Sequence, residues 1–255
     1  MSAYLVSLLA ILGGIVFALA IGKLLGRGQR VSTGEFSGQA LSLIGGVLLS
    51  SFVLLTGFQV AGSWSALSTA RARTYDEARA LTDVYWAAGG LPDEGRTKVR
   101  ALLKRYTDRV VREEFPTLAT GRTDPASWQA LDDVRGALNT IEVSRADEVA
   151  AKSAAQSNLA TVYQTRADRA AQVQAGMPVV TWLALLVAGC FLIAFPAILG
   201  LADHPRNVVG LCFVGAAVAF AVCLTAQLNH PFRQPFAVRP TAFSFAETRF
   251  HQMDG

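Results

Sequence analysis

Four stretches of this chain, residues 1–22, 36–70, 170–202 and 207–232, contain no Lys, Arg, Asp or Glu. Each matches or exceeds the roughly 20 apolar residues a helix needs to cross a hydrocarbon core about 30 Å thick. Inside such a core the backbone must satisfy its own hydrogen bonds, so runs of this length read as helices. The expected fold class is an all-α integral membrane protein, with four transmembrane helices and an all-helical bundle inserted between helices 2 and 3. Only 16% of the residues are charged, against roughly a quarter in a soluble domain, which excludes a soluble single-domain enzyme.

The spans are expected at about Tyr4 to Gly22, Gln39 to Gly62, Met177 to Leu201 and Val208 to Leu228, with Pro196 kinking the third. The chain then divides into residues 1–62 (helices 1 and 2), 63–176 (extramembrane bundle), 177–228 (helices 3 and 4) and 229–255 (a Pro/Phe-rich tail with a short amphipathic helix). No basic residue precedes the first apolar run, whereas Lys23, Arg27 and Arg30 follow it. That order is unlike a cleaved signal peptide and reads as a retained anchor. Gly14, Ala18 and Gly22 on the first span, and Gly215, Ala219 and Cys223 on the fourth, form small-residue seams that let helices approach closely.

The insertion shows helical periodicity and no strand-like alternation. Leu67, Thr74, Ala78, Leu81, Tyr85 and Ala88 share one face directly after the second span, so a continuous helix is expected there. Val99, Leu102, Leu103, Tyr106 and Val110 mark a second helix, expected to stop near Phe115-Pro116. Asp124 before Pro125 predicts a capped start for Trp128, Leu131, Val134, Leu138 and Ile141. Ser144 with Asp147 predicts another start, after which Leu159, Val162, Tyr163, Ala170 and Val173 lead on into the third span. In the tail, Phe243, Ala246, Phe250 and Met253 recur at helical spacing, and Ser244 with Glu247 is spaced as a capping box. That helix could rest on the membrane interface or on the bundle.

Catalytic chemistry finds little support. The histidines are His204, His230 and His251, none in the insertion and none spaced for a metal, and no phosphate-binding loop or nucleophile elbow occurs. The carboxylate pairs Asp93-Glu94, Glu113-Glu114, Asp132-Asp133 and Asp147-Glu148 all have basic neighbours and read as solvated helix faces. No enzyme activity, cofactor, metal site or nucleic-acid partner is expected. Cys190, Cys212 and Cys223 all lie in apolar stretches, where a thiol acts as a small hydrophobe. The basic run that includes Lys98, Lys104, Arg105 and Arg109 allows two readings, an anionic contact surface or a water-facing stripe. On the second span, Ile44, Leu48 and Phe52 form an i, i+4, i+8 stripe beside Ser50, Ser51 and Thr56. It suits either a hydrophobic pore constriction or ordinary packing.

Taken together, these pieces resemble the bestrophin-like domain family, whose layout is two spans, a helical insertion, two spans and a tail. The resemblance rests on residues 75–81 (YDEARAL), on Leu91-Pro92, and on Val99-Arg100 with Leu102, Leu103 and Tyr106. It continues through Val110-Val111 with Glu114-Phe115-Pro116, then Arg166 with Arg169, Met177-Pro178 with Trp182, and residues 228–232 (LNHPF). It implies kinship with bestrophins, pentameric anion channels whose second membrane helix lines a hydrophobic neck. Pro231-Phe232 is similar to their Pro-Phe-Gly segment, with Arg233 in place of the glycine. The acidic run of their calcium site has no counterpart here, so calcium gating is not implied.

Two functions stay open: an oligomeric anion channel, and a non-conducting membrane-anchored helical interaction or sensor module. The expected partners are a lipid bilayer, further copies of the chain and small anions, in the cell membrane of a prokaryote. The side of the insertion stays open. Lys23, Arg27, Arg30 and Arg206 in the short loops argue for placing it outside by the positive-inside rule, whereas bestrophins hold theirs in the cytoplasm.

Overall fold

The computed structural model describes residues 3–25, 38–174, 176–198, 205–233 and 236–255. In chain order its helices are α1 (Ala3–Leu25), α2 (Gly38–Ala87), α3 (Asp93–Arg109), α4 (Phe115–Leu118), α5 (Pro125–Thr140), α6 (Ala146–Gln174), α7 (Val179–Ile198), α8 (Pro205–Leu228) and α9 (Thr241–Asp254). There is no strand among the described residues. Helices α1, α2, α7 and α8 are long and apolar enough to cross a membrane.

The chain forms two compact units. One is built from the chain up to Ser65 and from Met177 to Asn229, the other from Ala66 to Gly176 and His230 to Gly255. Helix α2, 50 residues long, contributes to both: Phe52 and Ser63 are buried in the first, and Leu67, Ala70, Thr74, Glu77, Leu81 and Val84 in the second.

The first unit has a core of Ala18, Phe52, Leu185, Leu192, Ile193, Leu211 and Val218. Its two small-residue seams meet each other. A Cβ on Gly215 would lie 2.6 Å from the Gly14 carbonyl oxygen and 2.8 Å from Ala18 Cβ, so α1 and α8 approach backbone to backbone. Large apolar side chains such as Leu8, Val16, Phe58, Val180 and Phe213 cover the outside, a surface that water would not tolerate.

In the second unit the expected stripes are buried, among them Leu81, Tyr85, Val99, Leu103, Tyr106, Val110, Leu131, Val134, Leu138, Leu159 and Val162. Asp124 caps α5 by accepting from the Ala126 N–H at 3.2 Å and the Ser127 hydroxyl at 2.8 Å. Helix α9 packs against α3, burying Phe243, Ala246 and Phe250, and Phe250 stacks on Tyr85 at 4.2 Å.

Four local expectations are corrected. Phe115-Pro116 does not end the second insertion helix. A π-helical turn, Val110–Glu114, follows α3, and the Phe115 N–H reaches back to the Val110 carbonyl, so Pro116 sits in the first turn of α4, where its missing N–H is tolerated. At the start of α6 the cap is Glu148, whose carboxylate takes the N–H groups of Ser144 and Arg145 at 3.3 Å, while Asp147 pairs with Arg145. The Ser244/Glu247 box does not form, because α9 begins three residues earlier, with the Pro240 carbonyl accepting from the N–H groups of Phe243 and Ser244. Finally, α6 does not run on into the third span. It ends at Gln174 and α7 begins at Val179, because Pro178 disfavours helical geometry at Met177. The Pro178 carbonyl accepts from the Thr181 and Trp182 N–H groups, and the Met177 N–H donates to Asn229 at 2.7 Å.

Candidate functional site

The densest chemistry lies inside the second unit, where α2, α3, the π turn and α6 bring ionised side chains together out of water. Glu77, Tyr106, Glu114, Arg166 and Arg169 are all buried, and the two arginines are among the largest fully buried side chains. Each lies on the apolar stripe of its own helix: Glu77 beside Thr74 and Leu81, Tyr106 three residues after Leu103, Glu114 four after Val110, Arg166 four after Val162.

Arg169 grips Glu77 with two prongs, Nε to Oε2 at 2.8 Å and Nη2 to Oε1 at 3.1 Å, and its Nη2 lies 3.4 Å from Glu114 Oε1. Arg166 Nη1 donates to Glu114 Oε2 at 2.7 Å and to the Tyr106 hydroxyl at 2.9 Å. Tyr106 in turn donates to Glu77 Oε1 at 2.6 Å. Two carboxylates and two guanidiniums cancel in charge, as groups so buried must. Aromatic faces cover the cations: Arg169 lies 5.5 Å from both the Phe115 and Phe243 centroids, and Arg166 lies 4.6 Å from that of Trp128.

Burial, followed by the Glu77 charge, pushes the Tyr106 phenol well above its usual range, so it remains a donor. Burial works against the charge on Arg169, but Glu77 and then Glu114 outweigh it and hold the guanidinium ionised. Arg166 Nε and Arg169 Nη1 find no acceptor among the described residues. The arrangement is a neutral lock of mutually paired side chains. Glu114 therefore departs from the solvated reading of the Glu113-Glu114 pair: the stripe continues through the π turn and carries it inward, while Glu113 stays exposed and pairs with Arg109.

The residues singled out on α2 separate. Phe52, 5% exposed, lies in the core of the first unit with Leu185, Ile193 and Val218, and Leu48 packs against the same cluster, whereas Ile44 is exposed. Phe52 and Leu48 thus serve the chain's own packing. The outward face at the same depth carries Leu43, Val47, Ser50, Leu54 and Phe58, recurring every three or four residues without a charge. A shallow groove bordered by Gln39, Ser42, Gly46 and Ser51 runs along it.

The basic run also divides. Lys104 donates to Asp254 at 2.5 Å, and Arg109 pairs with Asp124 at 3.1 Å and Glu113 at 2.6 Å, so both are engaged within the bundle. Lys98 and Arg105 are exposed. No group of His, Cys, Asp and Glu suited to a metal ion occurs among the described residues.

The pattern of the Bestrophin-like domain matches residues 4–243, nearly the whole chain. The chain belongs to the Bestrophin-like family. Its fold agrees with solved structures. A mutant form of a bacterial bestrophin homologue from Klebsiella pneumoniae superposes with a TM-score of 0.71 at 12% identity, covering 96% of this chain and 99% of the other. The same homologue solved by zinc phasing gives 0.69 at 13% identity, covering 95% and 98%. A variant described only as a membrane protein gives 0.72 at 12% identity, covering 96% and 98%. At these identities the likeness establishes the fold alone. No curated protein matches this Bestrophin-like chain. Four of the stretches that carry the family resemblance, residues 75–81, Val99 to Tyr106, Val110 to Pro116 and Arg166 to Arg169, supply the charged and phenolic members of the buried lock.

Proposed function

We propose that this Bestrophin-like chain is an integral membrane protein with spans α1, α2, α7 and α8 and the helical bundle between the second and third. In this reading it is a non-catalytic homo-oligomer in a prokaryotic cell membrane that conducts small anions along the outward face of α2. The observation that carries it is that face: Leu43, Val47, Ser50, Leu54 and Phe58 are exposed, uncharged and interrupted by a hydroxyl. An apolar constriction with a hydroxyl nearby can control wetting without a fixed charge. Four spans per chain cannot enclose a path alone, so the reading requires oligomers.

The test is anion flux in vesicles containing protein of known oligomeric mass. Leu54→Ala should raise flux, because it removes bulk from the outward face. Phe52→Ala should instead lower thermal stability, because it opens a cavity in the core. A monomer, or no flux from wild type and Leu54→Ala in folded oligomers, would leave the non-conducting interaction module as the function.

A further inference from the structure

Asp254 occupies the last turn of α9, where the helix dipole is negative and a carboxylate is disfavoured. Three donors from other helices hold it there. The Tyr85 phenol lies 2.6 Å from each carboxylate oxygen, Arg100 Nη1 donates to Oδ1 at 3.0 Å, and Lys104 Nζ donates to Oδ2 at 2.5 Å. Tyr85 comes from α2 and the two cations from α3, so α9 supplies only the acceptor.

The cradle's donors all come from α2 and α3, and from α9 only the Phe250 ring, stacked on Tyr85, helps to enclose it. Tyr85 is fully buried, with the Arg100 guanidinium 4.7 Å above its ring centroid. Gly89 leaves room for Arg100, since a Cβ there would lie 3.1 Å from Nη2. Arg100 Nε is buried with no acceptor among the described residues, a donor that the carboxylate leaves unused. Burial pushes the Tyr85 phenol up, so it stays protonated at neutral pH. A guanidinium, an ammonium and a phenol converging on a two-oxygen anion is the chemistry of an oxyanion site, and a phosphate group brings further oxygens.

We propose that Tyr85, Arg100 and Lys104 form a binding site for a small oxyanion of the phosphate class, which Asp254 occupies in cis. A tethered carboxylate competes at a millimolar effective concentration or above, so the intact chain masks the site. Occupation by an external anion releases the last turn of α9, while Phe243 and Phe250 keep the rest of the helix docked. The site is independent of conduction.

The test uses the full chain in detergent, with inorganic phosphate as the probe at constant ionic strength. Asp254→Ala should gain a saturable rise in melting temperature, half-complete at a phosphate concentration at least about tenfold below any seen in wild type. Adding Lys104→Met to Asp254→Ala should abolish the rise. If phosphate is inert but nanodiscs containing phosphatidylglycerol, compared with phosphatidylcholine alone, stabilise Asp254→Ala in a Lys104-dependent way, the site holds and its ligand is a lipid headgroup. No stabilisation by either, or the same stabilisation without Lys104, overturns the proposal. If Asp254→Ala does not fold, hydrogen exchange of the last turn of α9 in wild type decides: acceleration by phosphate supports the site, and no change overturns it.

Discussion

Arg169→Met would leave Glu77 fully buried with the Tyr106 phenol as its one remaining hydrogen-bond partner among the described residues, and would strip Glu114 of its second cation. Removing one partner of a buried ion pair costs about 3–5 kcal/mol, mostly because the surviving charge stays desolvated. With about 2–4 °C per kcal/mol for a chain of this size, the melting temperature should fall by on the order of 10 °C. Glu77→Leu combined with Arg169→Met removes both charges and leaves Arg166 and Glu114 paired at 2.7 Å. The residual cost is then the Tyr106 O–H left without its Glu77 acceptor, about 1–3 kcal/mol, while its oxygen still accepts from Arg166. The double variant should therefore be more stable than Arg169→Met alone. The assay is thermal unfolding of the detergent-solubilised chain, followed by near-ultraviolet circular dichroism at one scan rate, for wild type, both single variants and the double variant. Additive losses in the double variant would refute the pairing, because non-additivity is the signature of direct coupling.

Gly215→Leu should prevent α1 and α8 from packing, since its side chain would meet the backbone of Gly14, and the yield of monodisperse protein on size exclusion should collapse. Gly210→Ala, with open space around it, should elute as wild type does. The acid response should depend on Asp254. Hydrogen bonds from Lys104 and then Tyr85 hold its carboxyl below the usual range, so its contribution is present above the unfolded value near pH 4 and is lost as pH falls through the folded value. The gap in melting temperature between wild type and Asp254→Asn should stay constant from pH 7 to about pH 5 and close on further acidification. A gap unchanged at pH 2 would show that the carboxylate is not what holds α9.

The long helices were legible because charge-free length and apolar spacing are properties of single segments. The Gly14/Ala18 and Gly215/Ala219 seams could be recognised as contact surfaces, though not as each other's partner. Phe52 was ambiguous for a physical reason: in an apolar solvent, inward and outward faces of a helix have the same composition, so hydrophobicity does not distinguish core from lipid or pore. The lock was hidden differently. Glu114, Arg166 and Arg169 resemble surface charges singly, and only their positions on the stripes of Val110 and Val162 signal burial. At Ser144 the helix start was legible and only its cap was not, because Glu148 supplies the acceptor, whereas at Ser244 the Pro240 carbonyl draws the start upstream.

The π turn Val110–Glu114 can be regarded as an α-helix into which one residue has been inserted. Tightening it to the α ladder with every residue kept would turn everything downstream by about 100° about the helix axis, the angle per residue of a 3.6-residue turn. Phe115 would then swing off the face of Arg169 and Leu118 out of the core, although no side chain had changed. Over these five residues the spacing of the chain therefore matters as much as its chemistry. Deleting one residue would instead absorb the bulge and leave Phe115 and Leu118 on their faces, so the segment should tolerate the loss of a residue better than the gain of one.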